Sequence, residues 1–393
     1  MKYGVLISLT GGEYRQEDIR IGLLLFSFIP AHLFIGYLIE LLAATRARDA
    51  LRESRKAGKA GQDPKLRPMW TIIAAAHTVN ATASLGIASY LVYNKIFHPL
   101  IGTMCEIHVV IVWLKQLSYA FTNRDLRDAY LSSAPVPDIY RTCLYPSNIT
   151  IPNLIYFWWA PTLVYQPVYP RTPTFRPSFF FKRLTETILL SIAIWFLSQQ
   201  YAVPTLRNSL DAVSALNLPI ILQRLMKLST ISLVIWLIGF FALFHSFLNA
   251  LSELLRFGDR DFYGPWWNSA SLGTYWKLWN KPVYNFMRRH VYAPMQARGF
   301  SPAVSSMMVF TFSAVLHEVL VGIPTHSVTG VAFAGMMFQI PLIWCTMPLE
   351  RMRGSGSVLG NVVFWVSFCL VGQPVAALLY YFSWQVKYGG VRA

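Results

Sequence analysis

Three long stretches of this chain contain no Asp, Glu, Lys or Arg: residues 68–94, 228–252 and 354–386. A bilayer core about 30 Å thick needs about 20 consecutive, mostly apolar residues to cross it as a helix. Lipid offers no hydrogen-bond partner to an exposed backbone, so segments of this kind are expected to be helical. The pattern predicts an all-α polytopic membrane protein.

The same criterion predicts about eight transmembrane helices along the chain. Only 13% of the 393 residues are charged, against roughly 25% in soluble proteins. This deficit argues against a disordered chain and against a soluble multidomain protein. The predicted spans are 21–44, 69–93, 99–121, 184–203, 228–253, 302–324, 327–348 and 356–384.

The net charge of +16 is concentrated in one of the two alternating sets of loops. This set (45–67, 122–183, 256–300 and 350–353) holds 24 of the 34 Lys and Arg residues and nine acids. The positive-inside rule places it in the cytosol, with anionic headgroups or an anionic substrate as candidate partners and no nucleic acid. We predict a single membrane domain, 1–393, in which 45–67, 122–183 and 256–300 are cytosolic loops.

Several ionisable residues lie in or beside the predicted spans, where an unpaired charge is costly. For Glu40, His108, His245 and Glu253 we expect a place near a span end or a hydrogen bond to a neighbouring helix. These residues are therefore interpreted as structural.

The adjacent pair His317–Glu318 lies deeper. Ser301 suits a helix N-cap and Pro302 the first helical position, which puts His317 about 22 Å along the helix. A histidine there suits a general base, and Glu318 could orient it or contact a substrate. Alternatively, Ser313 on the same face could be a covalent nucleophile activated by His317, or the histidine could serve packing alone.

The predicted loop 256–300 interleaves aromatic residues with Arg and Lys. This composition suits an amphipathic segment at the membrane interface. It also suits a pocket that stacks an adenine and pairs with phosphates. Composition favours the interface and leaves both interpretations open.

Two motifs resemble those of the membrane-bound O-acyltransferase family. Phe262-Tyr263-x-x-Trp266-Trp267-Asn268 resembles its FYxDWWN motif, and Ser313-Ala314-x-x-His317-Glu318 resembles its SAxxHEY motif. The resemblance is strongest to the diacylglycerol O-acyltransferase type 1 branch, which is related to sterol O-acyltransferases. Further matching segments include Lys115-x-x-Ser118-Tyr119-x-x-x-Asn123, Tyr145-Pro146-x-Asn148-x-Thr150, Ala160-Pro161-Thr162-Leu163-x-Tyr165, Gly335-Met336-Met337-x-Gln339 and Gly372-Gln373-Pro374.

The resemblance implies acyl-CoA-dependent acylation of diacylglycerol to triacylglycerol in the endoplasmic reticulum membrane. It implies His317 as the catalytic base, with Asn268 and Glu318 as further catalytic residues. It implies acyl-CoA as co-substrate, no metal or cofactor, and a homodimer or higher homo-oligomer. The substrate-binding residues that it implies are Gln339, Gln373, Ser313, Met336, Trp267, Trp266, Tyr263 and Phe262.

Three features depart from the family pattern. Pro265 replaces the Asp of FYxDWWN, and Val319 replaces the Tyr of SAxxHEY. Lys2-Tyr3-Gly4 resembles the sequence just after the first of the family's usual nine transmembrane helices, so we expect that helix to be missing and assembly to be weakened. A sterol or fatty-alcohol acyltransferase, a catalytically impaired paralogue acting as a lipid-binding or partner subunit, and a transporter or channel stay open as alternatives.

Overall fold

The computed structural model describes residues 15–56, 67–352 and 355–388; Lys2-Tyr3-Gly4 lies outside them. In the described part the chain is helical, and its β-structure is one isolated bridge between Arg171 and Phe257. Short 3-10 turns (Asp138–Tyr140, Trp266–Asn268) and π-helical segments (Ser198–Ala202, Phe241–Phe247, Arg288–Tyr292, Val366–Gly372) connect the α-helices. These are α1 (Gln16–Phe28), α2 (Ala31–Lys56), α3 (Arg67–Lys95), α4 (Pro99–Ser132), α5 (Ile151–Trp159), α6 (Pro177–Leu197), α7 (Val203–Arg207), α8 (Leu210–Ser214), α9 (Leu218–Phe240), α10 (Leu248–Leu254), α11 (Leu272–Leu278), α12 (Lys281–Met287), α13 (Ala293–Ala297), α14 (Pro302–Gly322), α15 (Val331–Met337), α16 (Gln339–Arg351), α17 (Ser355–Trp365) and α18 (Gln373–Tyr388).

The prediction of an all-α polytopic fold is confirmed. The predicted span 184–203 runs from α6 through the π-helical segment Ser198–Ala202 to the first residue of α7. Lys182, Arg183 and Glu186 lie in the second and third turns of α6 and shorten its apolar part. By length and composition, the described residues contain seven helices able to cross a membrane, each overlapping a predicted span: Gln16–Glu53, Pro68–Lys95, Pro99–Ser132, Leu218–Leu254, Pro302–Gly322, Val331–Glu350 and Val358–Lys387.

Capping side chains explain where several helices begin. Ser301 Oγ accepts a hydrogen bond from the backbone N–H three residues on, at 3.3 Å, and Pro302 is the first residue of α14, as predicted. A capping side chain and a proline in the first turn likewise begin α5 at Thr150, α9 at Asn217 and α12 at Asn280. Proline is tolerated there because the first N–H groups of a helix have no intrahelical partner.

The buried acids Glu40 and Glu253 are paired, which confirms their structural interpretation. The Glu40 carboxylate accepts from Arg127 at 3.2 Å between α2 and α4. Glu253, at the end of α10, accepts from Arg176 at 2.8 Å and from Arg260 at 2.6 Å. A buried carboxylate needs such partners, because removing it from water unpaired is costly.

The loop between α4 and α6 packs tightly against α4. The fully buried Lys115 donates from Nζ to the backbone oxygens of Phe157 and Ala160, both at 2.7 Å, where α5 ends. One turn further along α4, Ser118 Oγ accepts from the N–H of Tyr165 at 2.8 Å. Lys115 and Ser118, which belong to a segment that resembles the family, therefore hold the loop segment 160–165, which also resembles it.

Candidate active site

A cavity of about 1770 Å³ lies among helices α9, α11, α14, α15 and α18. Pockets for drug-sized ligands usually measure about 300–1,000 Å³, so this cavity has room for a larger ligand. Gln373 and Gln385 both line it. They lie twelve residues apart on α18, so the cavity extends about 18 Å along that helix.

Aromatic side chains form much of the cavity wall. Trp236 comes from α9 and Tyr275 from α11, and their rings belong to a cluster that surrounds the buried Trp266. Within this cluster, Trp266 packs edge-to-face against the rings of Trp236 and Tyr275. The further aromatic residues that line the cavity are Trp276, Trp279, Phe338, Phe364, Phe368, Tyr380, Tyr381 and Trp384.

His317 lines this cavity from α14, and one of its ring nitrogens is hydrogen-bonded to the backbone. Nδ1 lies 2.7 Å from the backbone oxygen of Ser313. A carbonyl oxygen can only accept a hydrogen bond, so Nδ1 carries the hydrogen. In a neutral imidazole, Nε2 is then the unprotonated nitrogen and is free to act as a base.

Ser313 lies close to His317 but at the wrong nitrogen for activation. Its Oγ is 3.4 Å from Nδ1, the nitrogen that already donates to the Ser313 backbone. A protonated nitrogen cannot accept the serine proton. Ser313 is also absent from the residues that line the cavity.

Glu318 turns away from the cavity and contacts α15 and α18. Its Oε1 accepts from the N–H of Gly330 at 2.8 Å, and its Oε2 accepts from the N–H of Phe333 at 3.1 Å and the hydroxyl of Tyr380 at 2.8 Å. The structure therefore does not bring this carboxylate to His317. Three hydrogen bonds occupy its oxygens, so its predicted catalytic role stays a prediction without support from the geometry.

Three predicted substrate-binding residues line the same cavity as His317. Met336 is buried on α15, and Gln339 begins α16. Gln339 Nε2 donates to the backbone oxygen of Gly335 at 3.2 Å. Gln373 begins α18 directly after the π-helical segment Val366–Gly372. The structure thus brings two amides and a thioether to the histidine's cavity.

The residues of the FYxDWWN-like motif do not line the cavity, and two of them pack behind the aromatic side chains that do. Phe262 and Trp266 are buried in the aromatic cluster, at 2% and 1% exposure. The Tyr263 hydroxyl is 2.8 Å from His245 Nδ1, a contact with the loop after α10 and not with a neighbouring helix. The exposed Trp267 is held through its backbone oxygen, which accepts from Asn361 and Trp365 at 3.0 and 3.2 Å.

Asn268 is exposed at the end of the 3-10 turn Trp266–Asn268 and is not among the cavity-lining residues. The turn buries Trp266 in the aromatic cluster, which leaves the amide of Asn268 outside the wall. Its predicted catalytic role stays a prediction. Pro265, in the family's Asp position, precedes the turn with φ −73°, a value natural to proline.

Sequence reasoning missed Tyr380. It lies seven residues after Gln373 on α18, and positions seven apart share a helix face. Since Gln373 was predicted to face the cavity, helical spacing alone could have pointed to Tyr380.

His290, on the π-helical segment Arg288–Tyr292, is uncharged at neutral pH. Burial, assisted by the positive charges of Arg289 and Arg124, lowers the pKa of His290 to about 3. Its Nε2 lies 2.7 Å from Ser118 Oγ. That hydroxyl already accepts from the backbone of Tyr165, so its own proton is available to the neutral ring.

Within the described residues, no cluster of three or more His, Cys, Asp or Glu could hold a metal ion.

Comparisons with known proteins agree with this architecture. The chain is 40% identical to diacylglycerol O-acyltransferase 1C of Glycine max over 292 residues, which is 74% of the chain and 56% of the relative. It is 38% identical to diacylglycerol O-acyltransferase 1A of Glycine max over 313 residues (79% and 62%). It is 35% identical to diacylglycerol O-acyltransferase 1 of Dictyostelium discoideum over 364 residues (92% and 57%).

These alignments span less than two thirds of each relative's length. Residues 81–383 match the MBOAT, membrane-bound O-acyltransferase family, and include every residue of the predicted site. With its helices long and apolar enough to cross a membrane several times, the chain is a multi-pass membrane protein that belongs to the membrane-bound O-acyltransferase family.

Proposed function

We propose that this chain transfers the acyl group of an acyl-CoA to the hydroxyl of diacylglycerol, giving triacylglycerol and free CoA. The observation that carries the proposal is His317 in the wall of a large cavity, with Nδ1 bonded to a backbone oxygen and Nε2 left unprotonated. A predominantly apolar, aromatic wall suits an acceptor that carries two acyl chains. The names of the similar proteins support diacylglycerol as that acceptor.

In the proposed reaction, Nε2 of His317 takes the proton of the acceptor hydroxyl while the hydroxyl oxygen attacks the thioester carbonyl carbon. A new C–O bond forms, the C–S bond breaks, and His317 returns the proton to the departing thiolate. Negative charge develops on the carbonyl oxygen during the attack. Gln373 is the favoured donor to that oxygen, because Asn268 does not line the cavity and the amide of Gln339 already donates to the backbone oxygen of Gly335.

The geometry favours direct attack over a covalent acyl-Ser313 intermediate. Ser313 faces the protonated nitrogen of His317 and is outside the cavity wall. An intermediate on its oxygen would require the imidazole ring to change tautomer.

We further propose that the protein works in the endoplasmic reticulum membrane as a homo-oligomer. The basic loops predicted on the cytosolic face would meet acyl-CoA there, since its phosphates are anionic. The acceptor would arrive from the bilayer, where a diacylglycerol resides.

The direct test is an acyl-transfer assay with the full chain in microsomes that lack other triacylglycerol synthesis. Labelled acyl-CoA is supplied with diacylglycerol, a sterol or a fatty alcohol, and each neutral-lipid product is measured. We expect label in triacylglycerol, a loss of at least about a hundredfold in His317→Ala, and retained turnover in Ser313→Ala. Failure of the unchanged chain to label any neutral lipid would contradict the proposal, and a labelled Ser313 would contradict direct attack.

A further inference from the structure

The first turn of α15 is held by a pair of side chains from two other helices. Glu318 on α14 accepts from the N–H groups of Gly330 and Phe333, at 2.8 and 3.1 Å. Tyr380 on α18 accepts from the N–H of Ala332 at 3.0 Å. The first N–H groups of a helix have no partner within the helix, and here three of them are satisfied by this pair.

The two side chains are also bonded to each other. The Tyr380 hydroxyl donates to Glu318 Oε2 at 2.8 Å. Its proton is thereby committed to the carboxylate, and its oxygen is left to accept from Ala332. Glu318 as a whole is 9% exposed, so each lost donor would leave its negative charge less well satisfied.

The surrounding backbone leaves space for this arrangement. A Cβ added to Gly322 would lie 3.1 Å from Glu318 Oε1 and 3.2 Å from a backbone oxygen, closer than ordinary contact. Gly330 has φ +77°, in the left-handed region that glycine adopts most readily. Both glycines therefore fit the place where the carboxylate meets the start of α15.

The tethered helix carries part of the cavity wall. Met336 lies at the far end of α15, and Gln339 follows it at the start of α16; both line the same cavity as His317. Glu318 is adjacent to His317 in the chain. The link through Tyr380 therefore joins the three helices that present His317, Met336 and Gln373 to the cavity.

We infer that Tyr380 and Glu318 form a coupled pair of positioning residues, which fixes the distance between His317 and the Met336–Gln339 wall and so aligns the acceptor hydroxyl. The inference rests on the proposed function for its catalytic consequence. Misplacement of reacting groups lowers turnover even where the substrates still bind. Loss of the pair should therefore lower kcat more than it changes KM for acyl-CoA.

The test is a double-mutant cycle on the purified full chain with Tyr380→Phe, Glu318→Gln and both together. We expect Tyr380→Phe to lower kcat at least about fivefold, the equivalent of one hydrogen bond. KM for acyl-CoA should change less than twofold. If the pair acts as a unit, the double variant should lose no more than the worse single variant, whereas independent residues would lose the product of both effects. Tyr90→Phe, at an exposed tyrosine of α3, is the matched control.

Hydrogen exchange over residues 329–337 gives a readout that does not depend on activity. We expect faster exchange there in Tyr380→Phe and in Glu318→Gln, with exchange in α4 unchanged in both. Multiplicative losses in the cycle, or unchanged kcat together with unchanged exchange in Tyr380→Phe, would overturn the inference. If the unchanged chain transfers no acyl group, the proposed function fails, and the exchange measurement still decides whether the tether exists.

Discussion

His317 and Glu318 are neighbours in the chain, yet they serve different surroundings. Consecutive residues on an α-helix point about 100° apart, so His317 faces the cavity while Glu318 faces α15 and α18. A sequence motif that contains both residues therefore combines a candidate base with a side chain that positions the next helix. Changing either could abolish activity, for different physical reasons.

Lys115 provides a test of how a buried amine holds the loop between α4 and α6. Lys115→Met would leave the backbone oxygen of Phe157 without its donor, whereas the oxygen of Ala160 would still accept from the N–H of Thr162 at 2.7 Å. One unsatisfied group costs about 1–3 kcal/mol, so we expect the free energy of unfolding to fall by about 2 kcal/mol. The measurement is the thermal midpoint of the detergent-solubilised full chain. Lys95→Met, at an exposed lysine ending α3, is the control, and equal midpoints for the two variants would contradict the prediction.

Two π-helical segments lie beside or around residues discussed above. Val366–Gly372 comes directly before Gln373, and Arg288–Tyr292 contains His290. A π-turn inserts an extra residue into a helix and changes the direction in which the next side chains point. Regular 3.6-residue spacing would therefore misplace residues on either side of such a segment.

The lowered pKa of His290, in the segment Arg288–Tyr292, predicts that the stability of the folded chain depends on pH. Its pKa is lowered from 6.5 to about 3 in the folded chain, so below pH 6.5 the unfolded chain binds a proton that the folded chain does not. The contribution of His290 to the free energy of unfolding is fully present above pH 6.5 and is lost as the pH falls toward 3. At pH 5 the loss relative to pH 7 is about 2 kcal/mol.

The measurement for His290 is the thermal midpoint of the full chain between pH 7 and 5, compared with that of His290→Gln. Other groups titrate in both proteins, so the difference between them isolates the histidine. We expect the unchanged chain to lose more stability than the variant as the pH falls. Parallel curves for the two proteins would show that His290 is not the responsible group.

The orientation of the protein in the membrane is a property of all its loops together. The excess of Lys and Arg predicts that 122–183 is cytosolic and that 204–227 is lumenal. The sequon at Asn148 lies in the first of these loops, and its side chain is buried and bonded to Asn123. We therefore expect no natural glycan at Asn148.

An added sequon tests the lumenal loop directly. Leu216→Asn with Leu218→Thr places a sequon at two exposed residues, and Asn tolerates the positive φ of 49° at position 216 better than Leu. We expect a mobility shift that an endoglycosidase removes when this variant is expressed in microsomes. A glycan on the unchanged chain, with no additional shift in the variant, would reverse the predicted orientation.

Much of the fold could be predicted from sequence because its signals are local. Long uncharged stretches indicate spans, and Ser301-Pro302 marked the start of α14. The span at 184–203 was the weakest such signal, since charges at the start of α6 shorten its apolar part. The motif around Trp266 could be matched to a family, but its packing role could not be foreseen because the rings around it come from distant segments.

The order of residues alone therefore determines which segments enter the membrane, which side carries positive charge and which histidine lies deep in a helix. Tertiary packing decides the rest: that His317 shares a cavity with Gln339 and Gln373, that Asn268 lies outside its wall, and that Glu318 bonds to Tyr380. The physical reason is distance along the chain. Hydrophobicity and helix capping act within a few residues, whereas a cavity wall and a buried hydrogen bond are made by helices that meet only after folding.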